Sequence, residues 1–194
     1  MYWSYLRNIL TGFLIILIPV YWHYYGFRNF LWFSDIALFL TLLALWLESP
    51  LLMSMAAVGV FVLEALWCID FFTKLIWDKH VNKLSDYMFN PAYPLTLRAL
   101  SLFHLVTPII WLLYLAQYGY DTRALFYFTI LYWCIILITR FTTPINDNIN
   151  WVFLPEVKDM PISSSVWLLI MLIGIPLCIF LPTHYLFKIL FNAV

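Results

Sequence analysis

Asn29-Phe30-Leu31-Trp32-Phe33-Ser34-Asp35 opens the second of the long apolar runs in this chain of 194 residues. The run is long enough for a membrane-spanning helix, and Asp35 places a carboxylate about two turns inside it. A carboxylate in hydrocarbon is energetically costly, so an ionisable residue within a span indicates a functional site. The stretch therefore predicts a membrane protein and also a position for its chemistry.

The composition supports this interpretation. Hydrophobic residues make up 65% of the chain and charged residues 10%, whereas a soluble domain carries about 25% charged residues. Aromatic residues reach 21%, as expected where Trp and Tyr populate both membrane interfaces. The formal net charge of zero leaves no basic surface for nucleic acid. We therefore expect membrane lipids, and no nucleic acid, around this chain.

The apolar runs predict the fold class. A spanning helix needs about 20 mostly apolar residues, and the chain has six such runs. The predicted fold is all-α, a bundle of six transmembrane helices in one domain over residues 1–194. Pro108, Pro176 and Pro182 are candidate kinks within these spans. The predicted spans cover about 8–24, 27–47, 51–77, 95–118, 122–142 and 166–191.

The distribution of Lys and Arg predicts an orientation. An even number of spans places both termini on one side of the membrane. Most of the cations lie at the other side, near the two long connections that follow the third and fifth spans, and the positive-inside rule assigns that side to the cytoplasm. Both termini are then expected outside the cytoplasm. The cations counted at the cytoplasmic side are Arg28, Lys74, Lys79, Lys83, Arg98, Arg140 and Lys158.

Polar side chains from four predicted helices fall at similar depth, in the half of the bilayer next to these connections. At a rise of about 1.5 Å per residue, Asp35, Glu64 and His104 share this layer, and we interpret them as the catalytic acid-base groups. Two arginines are expected to hold an anionic headgroup, and two asparagines to orient polar atoms of the ligand. The six residues predicted to bind substrate are Asp70, Arg98, Ser101, Arg140, Asn148 and Asn150.

The same residues also have structural explanations. An ion pair between Asp35 and Arg98 or Arg140 would hold helices together. His104 alone is compatible with a hydrogen-bonded packing role. Arginines near helix ends commonly extend to lipid phosphates, and Asp70 would do the same at the interface.

No sequence motif assigns a cofactor. The chain contains no HExxH, GxSxG or glycine-rich phosphate loop. Its four histidines lie in four separate segments, so a multi-histidine metal centre is not expected. The cofactor stays unknown at this stage, and a divalent metal ion would have to be held mainly by carboxylates.

Four short phrases carry a resemblance. With Trp32-Phe33-Ser34-Asp35, Trp46-Leu47-Glu48-Ser49-Pro50, Asn148-Ile149-Asn150-Trp151 and Leu181-Pro182-Thr183-His184, the chain resembles a group of small bacterial integral membrane proteins. The resemblance extends over nearly the whole length. It implies a six-span architecture in a bacterial inner membrane and no particular reaction.

Three functions remain open at this stage, and whether the protein is an enzyme is one of the open questions. The leading hypothesis is a polar pocket in the cytoplasmic half of the bilayer that binds, and chemically processes, a lipid or another hydrophobic small molecule. The first alternative is a small proton-coupled transporter or channel acting through Asp35 and Glu64. The second alternative is an accessory or assembly subunit whose polar groups fix helix register, as a homo-oligomer or in a membrane complex.

Overall fold

The computed structural model describes residues 2–153 and 162–193. The described residues are helical apart from turns and connections, and the only β-type pairing among them is an isolated bridge between Tyr120 and Ala193. The predicted all-α class is therefore confirmed. The helices are α1 (Tyr2–Tyr25), α2 (Phe33–Leu47), α3 (Pro50–Trp77), α4 (Leu95–Leu100), α5 (Phe103–Tyr118), α6 (Ala124–Thr142), α7 (Ser164–Leu169) and α8 (Leu181–Leu190).

Five helical stretches are long and apolar enough to cross a membrane. They are α1, α3, the stretch that combines α4 and α5, α6, and Ser164–Leu190. These are features of a helical, polytopic membrane protein. Six spans are not confirmed, because α2 has 15 residues and would extend roughly 22 Å, less than the hydrocarbon thickness of about 30 Å. Lys158, which the orientation argument counted, lies outside the described residues, and the orientation stays a prediction.

The second apolar run is short because its beginning is not α-helical. Gly26 turns the chain with a φ of 78°, a value that glycine adopts at little cost. Residues Phe27–Leu31 form a 3-10 helix, and Trp32 is extended before α2 begins. Asp35 therefore lies in the first turn of α2, and its predicted position two turns inside a helix is wrong.

Helix α3 lies at the centre of the bundle and packs against α2, α5 and α6. Its start is well specified, because Pro50 occupies the first turn and the Ser49 hydroxyl accepts a hydrogen bond from Leu52 N–H. Gly59 lets α6 approach closely. A Cβ atom at Gly59 would lie 1.8 Å from the ring of Phe128, which is fully buried.

Two spans are interrupted. The break in the fourth span falls at Ser101 and Leu102, between α4 and α5, and Pro108 lies buried inside α5. The last span contains π-helical turns at Ile170–Gly174 and Pro176–Phe180. Prolines lack the N–H that an α-helix needs, and wider turns accommodate that loss. Pro176 begins a π-helical turn, and the break in the fourth span lies one and a half turns or more before Pro108. Kinks at Pro108, Pro176 and Pro182 stay predictions.

Candidate functional site

A cavity of about 340 Å³ lies at the end of the bundle that carries the two long connections. Its walls come from the end of α1, the starts of α2 and α5, the second half of α3 and both connections. The volume falls within the usual range of small-molecule sites, about 300–1,000 Å³. Nearly half of the lining residues are aromatic, with rings from Tyr21, Tyr25, Trp32, Phe33, Trp67, Tyr87, Tyr93, Phe103 and Trp151.

Glu64 and His104 form the most polar part of the wall. Glu64 Oε2 lies 2.6 Å from His104 Nδ1, and the glutamate is 2% exposed. The imidazole stacks on the rings of Trp67 and Phe103, at centroid distances of 4.7 and 4.2 Å. Because Nδ1 is engaged by the carboxylate, Nε2 is the nitrogen that can exchange a proton with a ligand. Within residues 2–153 and 162–193, Glu64 Oε1 finds no hydrogen-bond partner.

Asp35 contributes a second carboxylate to the same wall. Its Oδ2 accepts a hydrogen bond from Asn29 Nδ2 at 3.2 Å, and the residue is 2% exposed. Its Oδ1 has no partner in the described part of the chain. The first turn of a helix favours a negative charge, whereas burial and the nearby Glu64 carboxylate oppose ionisation of Asp35. Asn29 was not among the predicted site residues, although it lies in the same stretch of sequence as Asp35.

Hydroxyl groups form a third part of the site. The phenol of Tyr21 and the hydroxyl of Ser101 are 2.7 Å apart. Tyr87, in the connection before α4, has a pKa raised by burial and stays a neutral donor. Neither tyrosine was predicted, because a high Tyr content was interpreted as an interfacial belt.

The segment Asn148–Trp151, of which Asn150 and Trp151 line the cavity, has an unusual backbone. Asn148, Asn150 and Trp151 have φ values of 37°, 54° and 55°. Asparagine tolerates this left-handed region, whereas a bulky tryptophan is strained there. Backbone strain of this kind is often found at functional sites.

Asn150 links this segment to the start of α2. Its Oδ1 accepts a hydrogen bond from Phe33 N–H at 3.1 Å, and its Nδ2 donates to Leu31 C=O at 2.7 Å. The side chain thereby satisfies two backbone groups where α2 begins. Asn148 does not line the cavity; its Oδ1 accepts from Phe153 N–H.

Asp70 is buried on α3 but does not line the cavity. Its Oδ1 accepts hydrogen bonds from three consecutive backbone N–H groups of the connection after α3, and its Oδ2 is engaged by three more groups. This carboxylate organises the loop that carries Leu84 and Tyr87 to the cavity wall. The groups around Asp70 are Val81 N, Asn82 N and Lys83 N at Oδ1, and Ser85 N, Ser85 Oγ and His80 Nδ1 at Oδ2.

The two arginines predicted to hold a headgroup also lie outside the cavity wall. Arg98 Nη1 donates to Met88 C=O at 3.1 Å, and the guanidinium of Arg140 lies 4.6 Å from the centre of the Phe153 ring. Among the described residues, neither forms the ion pair with Asp35 that the structural interpretation required.

Of the nine predicted site residues, the structure brings five together around the cavity: Asp35, Glu64, Ser101, His104 and Asn150. The part of the chain that the structure describes contains no group of three or more His, Cys, Asp or Glu side chains arranged to hold a metal ion. No protein-family model, curated protein or solved structure matches this chain. The fold and its apolar helices therefore define the class, a polytopic helical membrane protein.

Proposed function

We propose that this protein binds a lipid or another hydrophobic small molecule in the aromatic cavity, and that the pair Glu64–His104 transfers a proton to or from it. One observation carries the proposal. A buried carboxylate–imidazole pair retains free hydrogen-bonding capacity on the wall of a cavity of ligand size.

A purely structural role explains this arrangement less well. A polar group that only joins helices gains most when all its atoms are paired, because an unpaired buried atom costs about 1–3 kcal/mol. Glu64 Oε1 and Asp35 Oδ1 lie unpaired within the described ranges. Both atoms are also shielded from solvent, and a ligand with hydrogen-bond donors would satisfy them once these side chains turn towards it.

The chemistry follows from the pair. His104 Nε2 can accept a proton from a hydroxyl or amine of the bound molecule, and Glu64 would stabilise the resulting imidazolium through Nδ1. The stacked rings of Trp67 and Phe103 hold the imidazole in place. Asp35 would anchor a polar group of the same molecule. In this proposal the cavity opens towards the cytoplasmic half of the bilayer.

The proposal is tested by native mass spectrometry of protein extracted gently from its membrane. Wild type should retain a defined small molecule. Leu63→Trp, which fills the cavity from one of its lining positions, should release it, whereas Glu48→Gln, at an exposed residue after α2, should not. Absence of any bound molecule in wild type, or equal retention in Leu63→Trp, would contradict the proposal.

Proton-coupled transport is a second candidate, favoured by one feature. The α-helical hydrogen bonding of the fourth span is interrupted at Ser101 and Leu102, whose dihedral angles stay in the right-handed helical region, and Ser101 lies on the cavity wall. Interrupted helices form the substrate and ion sites of many transporters. Proton flux in liposomes that disappears in Glu64→Gln and persists in Glu48→Gln would favour transport over binding alone.

A further inference from the structure

The charge of the cavity wall is unbalanced. Two carboxyl groups, those of Asp35 and Glu64, face one imidazole, that of His104. None of the described residues that line the cavity is Lys or Arg. When His104 and Glu64 carry opposite charges they neutralise each other, and an ionised Asp35 then needs a cation that the wall does not supply. This balance argues against the anionic headgroup expected from the sequence.

The aromatic wall suits a positive charge. The faces of Trp, Tyr and Phe rings attract cations, and the attraction is stronger when the cation is desolvated. Trp32 and Trp151 meet at 5.5 Å, and Tyr25 and Tyr93 at 6.5 Å, between ring centres. Aromatic enclosures of this kind recognise quaternary ammonium groups in many proteins.

Asp35 supplies the second, independent observation. It is 2% exposed and lines the cavity, and its Oδ1 has no partner among residues 2–153 and 162–193. A buried carboxylate without a partner is costly, and a cation beside it removes much of that cost. Among the described residues, the side chain of Asp35 accepts a hydrogen bond only from the neutral amide of Asn29.

We infer that the cavity recognises the positively charged end of an amphiphile, a quaternary ammonium or protonated amine, with Asp35 as its counter-ion and the aromatic wall as its enclosure. The inference rests on the proposed function, because it names the class of molecule that the same cavity takes. The apolar part of the ligand packs against the aliphatic side of the wall, which includes Val60 and Leu63.

The test compares probes that differ in charge at constant shape. Hexyltrimethylammonium, its uncharged isostere 2,2-dimethyloctane and hexanesulfonate are each titrated against the protein in maltoside micelles, with the rise in the unfolding temperature as readout. We expect the cation to bind about tenfold tighter than the isostere, a difference of about 1.4 kcal/mol. Hexylammonium is a fourth probe, and tighter binding of either cation supports the inference.

Matched variants show which residues cause the tighter binding of the cation. Asp35→Asn should abolish it, whereas Asp78→Asn, at a carboxylate exposed on the surface, should leave it intact. Tyr93→Leu should weaken the cation and spare the isostere, and Tyr93→Phe, which keeps the ring, should resemble wild type. These last two variants give the answer even where Asp35→Asn does not fold.

The contradicting results are distinct. Equal binding of all probes, lost in Leu63→Trp, would overturn cation recognition and leave the proposed function intact. Tighter binding of hexanesulfonate would overturn the inference in favour of an anionic headgroup. Responses that are identical in wild type and Leu63→Trp would overturn both proposals, because none of the probes would then occupy the cavity.

Discussion

Glu64 and Asp70 lie on the same helix, six residues apart, and both are almost completely buried. Asp70 is surrounded by backbone and side-chain donors of the loop that follows α3. Glu64 has one partner, His104, and one oxygen that no described residue contacts by a hydrogen bond. Burial is common to both carboxylates, and the degree to which their oxygens are satisfied distinguishes a structural group from a candidate ligand-binding group.

The comparison predicts the largest loss of stability at Asp70. Asp70→Asn replaces one carboxylate oxygen by an NH2 group, which cannot accept hydrogen bonds from the donors that surround it. We expect the free energy of unfolding to fall by about 3 kcal/mol or more, as for other broken buried charge networks. Unfolding by SDS titration in mixed micelles measures it.

The control is Asp78→Asn, at the exposed carboxylate beside Lys74, which should leave stability unchanged. If both variants unfolded at the same SDS fraction, the loop would not depend on Asp70.

Asn150→Ala should give the second-largest effect. It removes hydrogen bonds to Phe33 N–H and Leu31 C=O and places alanine at a φ of 54°. We expect a loss of about 2 kcal/mol and faster hydrogen exchange at the start of α2. Asn148→Ala, which loses one hydrogen bond, should cost less, and the opposite order would contradict the role of Asn150.

Glu64→Gln should change stability by no more than about 1 kcal/mol, because glutamine can still accept a hydrogen bond from His104. Its effect should appear in the cavity, where native mass spectrometry is expected to find no bound molecule. A destabilisation as large as that of Asp70→Asn would show that Glu64 is a structural carboxylate like Asp70, and the proposed difference between the two residues would be wrong.

The smallest effect is expected at the opposite end of the bundle. Hydrogen bonds from Arg123 hold the pKa of Asp121 below its ordinary value, which is about 3.9 in an unfolded chain. This pair therefore stabilises the fold above about pH 4 and loses that contribution as the pH falls through the lower folded pKa.

Because Arg123 is largely exposed, the contribution is small. The unfolding temperature of wild type should approach that of Asp121→Asn as the pH falls from 6 to 3. A difference that stays constant over this range would exclude the ion pair as its cause.

Much of the fold could be predicted because its signals are local. Apolar runs define the helices, Gly26 and Glu48-Ser49-Pro50 define turns, and the rise per residue places Glu64 and His104 at one depth. One irregularity depends on a contact between distant segments. Helix α2 begins late because Asn150, more than a hundred positions away, caps its start.

The site was only partly predictable for the same reason. Shared depth brought together Asp35, Glu64 and Ser101, but depth does not tell where a side chain finds its partners. Asp70 accepts hydrogen bonds from backbone N–H groups of a loop in which Lys83 has a φ of 62°. No periodicity in the sequence predicts this loop conformation. Arg98 donates a hydrogen bond to a backbone carbonyl of the same connection and does not line the cavity.

The most direct measurement is an experimental structure of the protein extracted with its native lipids, at a resolution that defines ligands. The account predicts an amphiphile in the aromatic cavity, with a polar or cationic atom within hydrogen-bond distance of Asp35 Oδ1 or Glu64 Oε1, and Asp70 still enclosed by its loop. A cavity holding only water, or Glu64 Oε1 paired with another protein group, would contradict it.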